Sequence, residues 1–228
     1  MTQTITYRFF APNHDDTAID LHFDDDSFRL QTPEKPLKPD WAKLAYQKCS
    51  NCTLGDDVEW CPAALSFAQF LPRFKEQFSY EKTVVEVETA ARTIVTKATF
   101  QTGIASLFGL ACATSGCPKT KFLRPLARFH LPFANEQETV FRTLAANLLI
   151  QYFENSKKGE DKPLNFDALN ANYAELNIVN SFLAERLRAG VERDAALNAV
   201  MILDGFAYIT PDNTDGTFED IRDIFVTE

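Results

Sequence analysis

Glycine is scarce in this chain, with 8 in 228 residues. Loops that wrap phosphate need glycine where the backbone approaches the ligand. No P-loop, G-x-G-x-x-G, H-E-x-x-H or G-x-S-x-G pattern occurs. Dinucleotide folds and serine nucleophiles are therefore poor readings. Positive charge is short as well: 23 Lys and Arg against 32 Asp and Glu leave a net charge of -9. That excludes a general attraction to nucleic acid or to an anionic membrane. No long hydrophobic run is present. The longest, residues 103–113, is too short to cross about 30 Å of hydrocarbon as a helix. Residues 1–13 carry neither a basic start nor a continuous apolar stretch, so no secretory signal is read there. The expectation is a soluble, cytoplasmic protein.

What is present is enough for a core. Hydrophobic residues make up 45%, and 20 residues are Phe. Residues 3–31 alternate with period two, Ile5, Tyr7 and Phe9 and then Ile19, Leu21 and Phe23. They predict a three-stranded meander with Phe28 to Leu30 as its last strand. Residues 32–40, TPEKPLKPD, read as a Pro-rich linker. Residues 41–62 carry three cysteines and little periodicity, and an apolar pattern from Ala64 to Phe74 reads as a short helix. Residues 83–100 lack Gly, Pro and Asn, and predict one long strand, bulged or turning helical near Ala90.

Ile104, Leu107, Phe108 and Ala111 recur at helical spacing, with Gly116 near the helix end. Asn135 and Glu138 form a capping box. The helix they open carries a broad apolar face that includes Val140, Leu144, Leu148, Phe141, Leu149 and Phe153. Residues 155–162 read as a polar linker. A helix bearing Leu176, Val179, Leu183 and Leu187 follows and ends near Gly190, and another begins at Asp194. The fold class is α+β: a small N-terminal antiparallel sheet, a Cys-rich metal-binding segment and a mainly helical C-terminal part. The corresponding regions are 1–31, the linker 32–40, a Cys-rich core 41–158 and a helical region 159–228.

Five cysteines is an odd number, and a reducing compartment disfavours disulfides. Cys49-x2-Cys52 lets two thiolates converge on one ion, and Cys61, followed by Pro62, supplies a third. Zinc asks for four ligands in a tetrahedron. Cys117, in the loop Ser115-Gly116-Cys117-Pro118, is the chosen fourth, while Cys112 lies on a helix stripe and suits the core. His130 is held in reserve as a ligand. An iron–sulfur cluster is the alternative cofactor, although the clustered ferredoxin spacing is absent. Buried or redox-active thiols without metal form the remaining reading.

Residues 89–135 contain no acid and six bases, leaving about -15 on the rest of the chain. Lys119, Lys121, Arg124 and Arg128 form a candidate anion site, or else pair with acidic turns of the same chain. His130 and Glu138, near the start of the capped helix, are candidate acid/base groups. The alternative for His130 is a loop-capping hydrogen bond.

Trp41, Leu44, Cys49-x2-Cys52, Cys61-Pro62, Gln101, Ser115-Gly116-Cys117-Pro118, His130-x-Pro132-Phe133 and Gln151-Tyr152-Phe153 together resemble an uncharacterised family of bacterial proteins. The resemblance runs from Trp41 onward. It implies a bacterial, intracellular protein and carries no catalytic residue with it. Two functions follow as expectations. One is a zinc-stabilised binding or regulatory module that meets a protein partner or a small anion. The other is a metal- or thiol-dependent enzyme, or an iron–sulfur redox protein, using the cysteines with His130.

Overall fold

A computed structural model describes residues 3–12, 15–190, 196 and 198–203. The architecture is α+β. Strands β1 (Gln3–Phe10), β2 (Thr17–Phe23), β3 (Lys82–Glu88) and β4 (Thr93–Thr99) form one antiparallel sheet in the order β2-β1-β3-β4. The register explains why one face is apolar. Tyr7 stands between Ile19 and Val87, Phe9 opposite Val85, and Ile5 opposite Leu21. All of these side chains are buried. On the other face Arg8 lies across from Glu86 and binds both Glu86 and Glu88, at 2.6 and 2.7 Å.

The expected single strand over residues 83–100 is instead a hairpin, β3 and β4. A hydroxyl replaces the missing turn residues: Thr89 Oγ1 accepts from the amides of Ala91 and Arg92, and Thr89 N donates to Arg92 O. The expected third strand of the N-terminal meander is reduced to one bridge, Phe23 with Leu30. Asp24 accepts from Ser27 N, and Phe28 takes φ 51°, so this segment closes as a turn.

The α-helices are α1 (Pro62–Ala68), which lies between β2 and β3, and, after β4, α2 (Phe100–Thr114), α3 (Arg124–Arg128), α4 (Glu136–Lys158) and α5 (Asp167–Gly190), with residues 198–203 also helical. Helix α2 lies directly on the sheet. A Cβ at Gly103 would stand 2.5 Å from Phe9 Cε1 and 3.0 Å from Val85 Cγ2. Phe9 cannot give way, because it is packed against Phe74 and Phe100. Gly103→Ala is therefore expected to destabilise by about 1–2 kcal/mol: overpacking outweighs the gain of about 1 kcal/mol in helix propensity. A chemical denaturation curve measures this, and a midpoint equal to wild type would refute the close approach.

Helix α4 carries the expected capping box, and Gly159 ends it at φ 66°. Its broad buried face is absent. Only Val140, Thr143 and Leu144 are buried, while Phe141, Leu149, Tyr152 and Phe153 are exposed. At 1.5 Å per residue the helix is about 35 Å long and outruns the core it joins. Its first turns pack with Leu169, Tyr173 and Leu176 in a small second cluster. The expected linker at 155–162 begins only after Lys158. The start of the helix expected at Asp194 lies outside the described residues.

Candidate functional site

The Cys-rich segment has little regular structure of its own, so local turns and α5 shape it. Cys52 N donates to Cys49 O, which closes the C-x2-C turn. Lys43 bridges to Trp60, and Cys61 N donates to Ala42 O, which sets Cys61 just ahead of Pro62 at the start of α1. Gly116, at φ 95°, turns the chain out of α2 and presents Cys117. Cys49, Cys52, Cys61 and Cys117 all line one pocket of about 20 Å³. A void of that size admits one small guest. Cys112 does not line that pocket; it is buried in the α2 packing, and besides burial the nearby Cys117, Cys61 and Cys49 raise its pKa. All five thiols are free of disulfides. Among the described residues, no three Cys, His, Asp or Glu side chains stand at metal-ligand spacing as placed.

Helix α5 ties the pocket together. Glu175 accepts from Asn51 Nδ2 at 2.8 Å and from Lys119 Nζ at 2.5 Å, joining the C-x2-C turn to the residues after Cys117. Arg186, only 1% exposed, donates to the carbonyls of Trp41, Lys43 and Leu44 at 2.8, 2.7 and 3.1 Å. Among the described residues it has no carboxylate partner, and its Nε is buried without an acceptor. Both Arg186 and Lys119 border the thiols, whose surroundings contain no acid in the pocket wall. Burial and the neighbouring thiols push Cys49 up to about 12, while Arg186 works against that shift. Cys117 is also raised by burial, opposed by amide hydrogen bonds from Lys119 and Thr120.

The basic segment does not gather at one point. Lys119 pairs with Glu175, Arg124 donates to Ser27 O, and Arg128 donates to Asp25 O and lies over the Phe28 ring. Lys121 is exposed. Two of the four bases therefore hold the acidic turn at 24–28. His130 lies away from the thiols, and its Nε2 is 2.6 Å from Tyr7 Oη, which is 2.8 Å from Ser106 Oγ. Burial, with a smaller contribution from Arg142, lowers the His130 pKa to about 3. Glu138 is engaged in the capping box, accepting from Asn135 N. His130, Ser106 and Arg142 line a separate cavity of about 290 Å³ under α2.

Arg186, Asn51, Tyr7 and Ser106 escaped the sequence reading. Arg186 had a signal: it falls on the Val179, Leu183, Leu187 stripe of α5, where a charge is out of place. Among the described residues no helix is long and apolar enough to cross a membrane. No curated protein matches the chain. No solved structure matches it either. A family model described as a domain of unknown function (DUF6901) matches residues 5–226, and the chain belongs to that family.

Proposed function

We propose that Cys49, Cys52, Cys61 and Cys117 hold one zinc ion and that the protein is a zinc-stabilised binding or regulatory module of the cytoplasm, without catalysis at this centre. The observation that carries the reading is the convergence of four thiols from distant parts of the chain on one atom-sized pocket. The charge balance supports it. A zinc tetrathiolate carries a net charge of about -2, and Arg186 borders the pocket without a carboxylate partner among the described residues, while Lys119 beside it is already paired with Glu175. A buried guanidinium without a carboxylate is costly unless a counter-charge arrives. Binding draws the sulfurs in around the ion and releases their protons to solvent, so affinity rises with pH. The raised pKa values of Cys49 and Cys117 argue against a free thiolate nucleophile at this centre. Its function would then be to join the C-x2-C turn, α1 and the end of α2, leaving the outer faces for a protein partner or a small anion.

Elemental analysis of protein purified without a histidine tag tests this. One zinc per chain is expected, with a colourless sample. A chelator should lower the melting temperature by about 10 °C or more, since structural zinc contributes folding energy directly. Cys52→Ala should lose the zinc and melt as the chelated wild type does. A brown protein would favour an iron–sulfur centre. Protein that binds no zinc on refolding with the metal, and melts identically with and without chelator, would end the proposal.

A further inference from the structure

The cavity under α2 shares no residue with the four-thiol pocket, has Cys112 in its wall and has its own chemistry. Its volume is about 290 Å³, near the lower end of the range for small-molecule sites. At about 30 Å³ per water-sized group, it accommodates about ten heavy atoms. The body of the wall is apolar, with Leu110, Leu126, Leu176 and Leu203 among its side chains. Polar groups come from Ser106, Thr102, Thr139, Asn180, His130 and Arg142. Ser106 and His130 are held in place from behind by the buried Tyr7 hydroxyl. His130 stays neutral far below physiological pH.

Among the described wall residues, Arg142 is then the sole ionised group. Its Nη2 is fixed by the carbonyls of Leu126 and Phe129, at 2.9 and 2.7 Å. Its Nη1 and Nε have no hydrogen-bond partner among the described residues; Glu138, the neighbouring acid, acts on Arg142 through its charge while its carboxylate accepts from the Asn135 amide. A guanidinium clamped by one nitrogen and open at the others is prepared for a carboxylate. Arg142 is half-buried, so its end of the cavity reaches solvent.

We propose that this cavity binds a small amphipathic monocarboxylate of about ten heavy atoms in all, an apolar chain whose carboxylate meets Arg142. The apolar body fills the leucine-lined interior. The carboxylate accepts from the free guanidinium N–H groups beside neutral His130. A dianion is disfavoured because a single cation serves the wall.

Calorimetric titration of the full chain with octanoate, octan-1-ol and succinate tests the assignment. Octanoate is expected to bind with a negative heat-capacity change, at least tenfold more tightly than octan-1-ol, with succinate weaker than both. Arg142→Gln should reduce octanoate affinity at least tenfold and leave octan-1-ol unchanged, which separates loss of the charge from loss of the fold. Arg142→Lys should recover part of the loss. Ala134→Phe, which places a ring into the cavity, should abolish both. Octanoate and octan-1-ol binding equally, or octanoate binding unaltered in Arg142→Gln, would overturn the carboxylate assignment. Absence of binding by either eight-carbon probe would overturn the site.

Discussion

Arg186→Met is expected to cost about 3 kcal/mol or more of folding free energy, the largest effect of any single substitution considered for this chain. The guanidinium is fully enclosed and spans three backbone carbonyls of residues 41–44. Hydrogen bonds from a charged donor contribute about 1.5–3 kcal/mol each, and methionine supplies none while filling similar space. Removing the buried charge returns part of that sum, because a desolvated cation is itself unfavourable. The loss should depend on metal. With thiols protonated, Arg186 has no counter-charge. With thiolates gathered on zinc, it faces a net anion. Denaturation of wild type and Arg186→Met, each with zinc and with chelator, should show a larger difference in the zinc-loaded pair. Arg186→Lys keeps the charge but loses the fork, and should fall between them. A midpoint within 0.5 kcal/mol of wild type in both conditions would remove Arg186 from its place at the centre of the site.

Acid should destabilise the protein earlier than its carboxylates alone require. His130 titrates near pH 3 in the fold and near about 6.5 in the unfolded chain. The unfolded state therefore takes up a proton first as pH falls. The stability held by the neutral ring is full above about pH 6.5 and drains away down to about pH 3. Between pH 8 and pH 5 the deficit is about 2 kcal/mol. Asp24, Asp40, Glu160 and Glu175 also have pKa values held below normal, each first by a side-chain hydrogen bond. Their contributions are lost below the unfolded carboxylate range of about 4, so the limb from pH 6.5 to 5 belongs to the histidine. His130→Gln should flatten that limb and leave the steeper fall below pH 4. Wild-type stability that stays constant from pH 8 to pH 5 would contradict the burial of the ring.

The local signals in the sequence were strong where one residue type has one structural use. Ile5, Tyr7 and Phe9 alternated because one sheet face is buried, and the register makes the same residues meet Ile19, Leu21, Val85 and Val87. The Asn135–Glu138 box opened α4 because both side chains satisfy amides within four residues. The turn at residues 89–92 was invisible to a search for Gly, Asn or Pro because the Thr89 hydroxyl takes their place. The C-x2-C pair, Cys61 and Cys117 were legible as a candidate ligand set by residue type and spacing.

The amino-acid order alone thus determined the α+β class, the strand faces and the capped helix. It could do so because periodicity, capping and turn chemistry act over a few residues. Tertiary structure decided which parts of those elements are covered. The apolar stripe of α4 stays exposed past Leu144 because the core ends there, a length that no periodicity encodes. It also decided that Arg124 and Arg128 serve the turn at 24–28, that His130 belongs to a cavity and not to the four-thiol pocket, and that Arg186 lies beside that pocket. Each is a contact across many tens of residues, set by how α2 and α5 pack, and a buried charge is tolerated only where that packing supplies its partners.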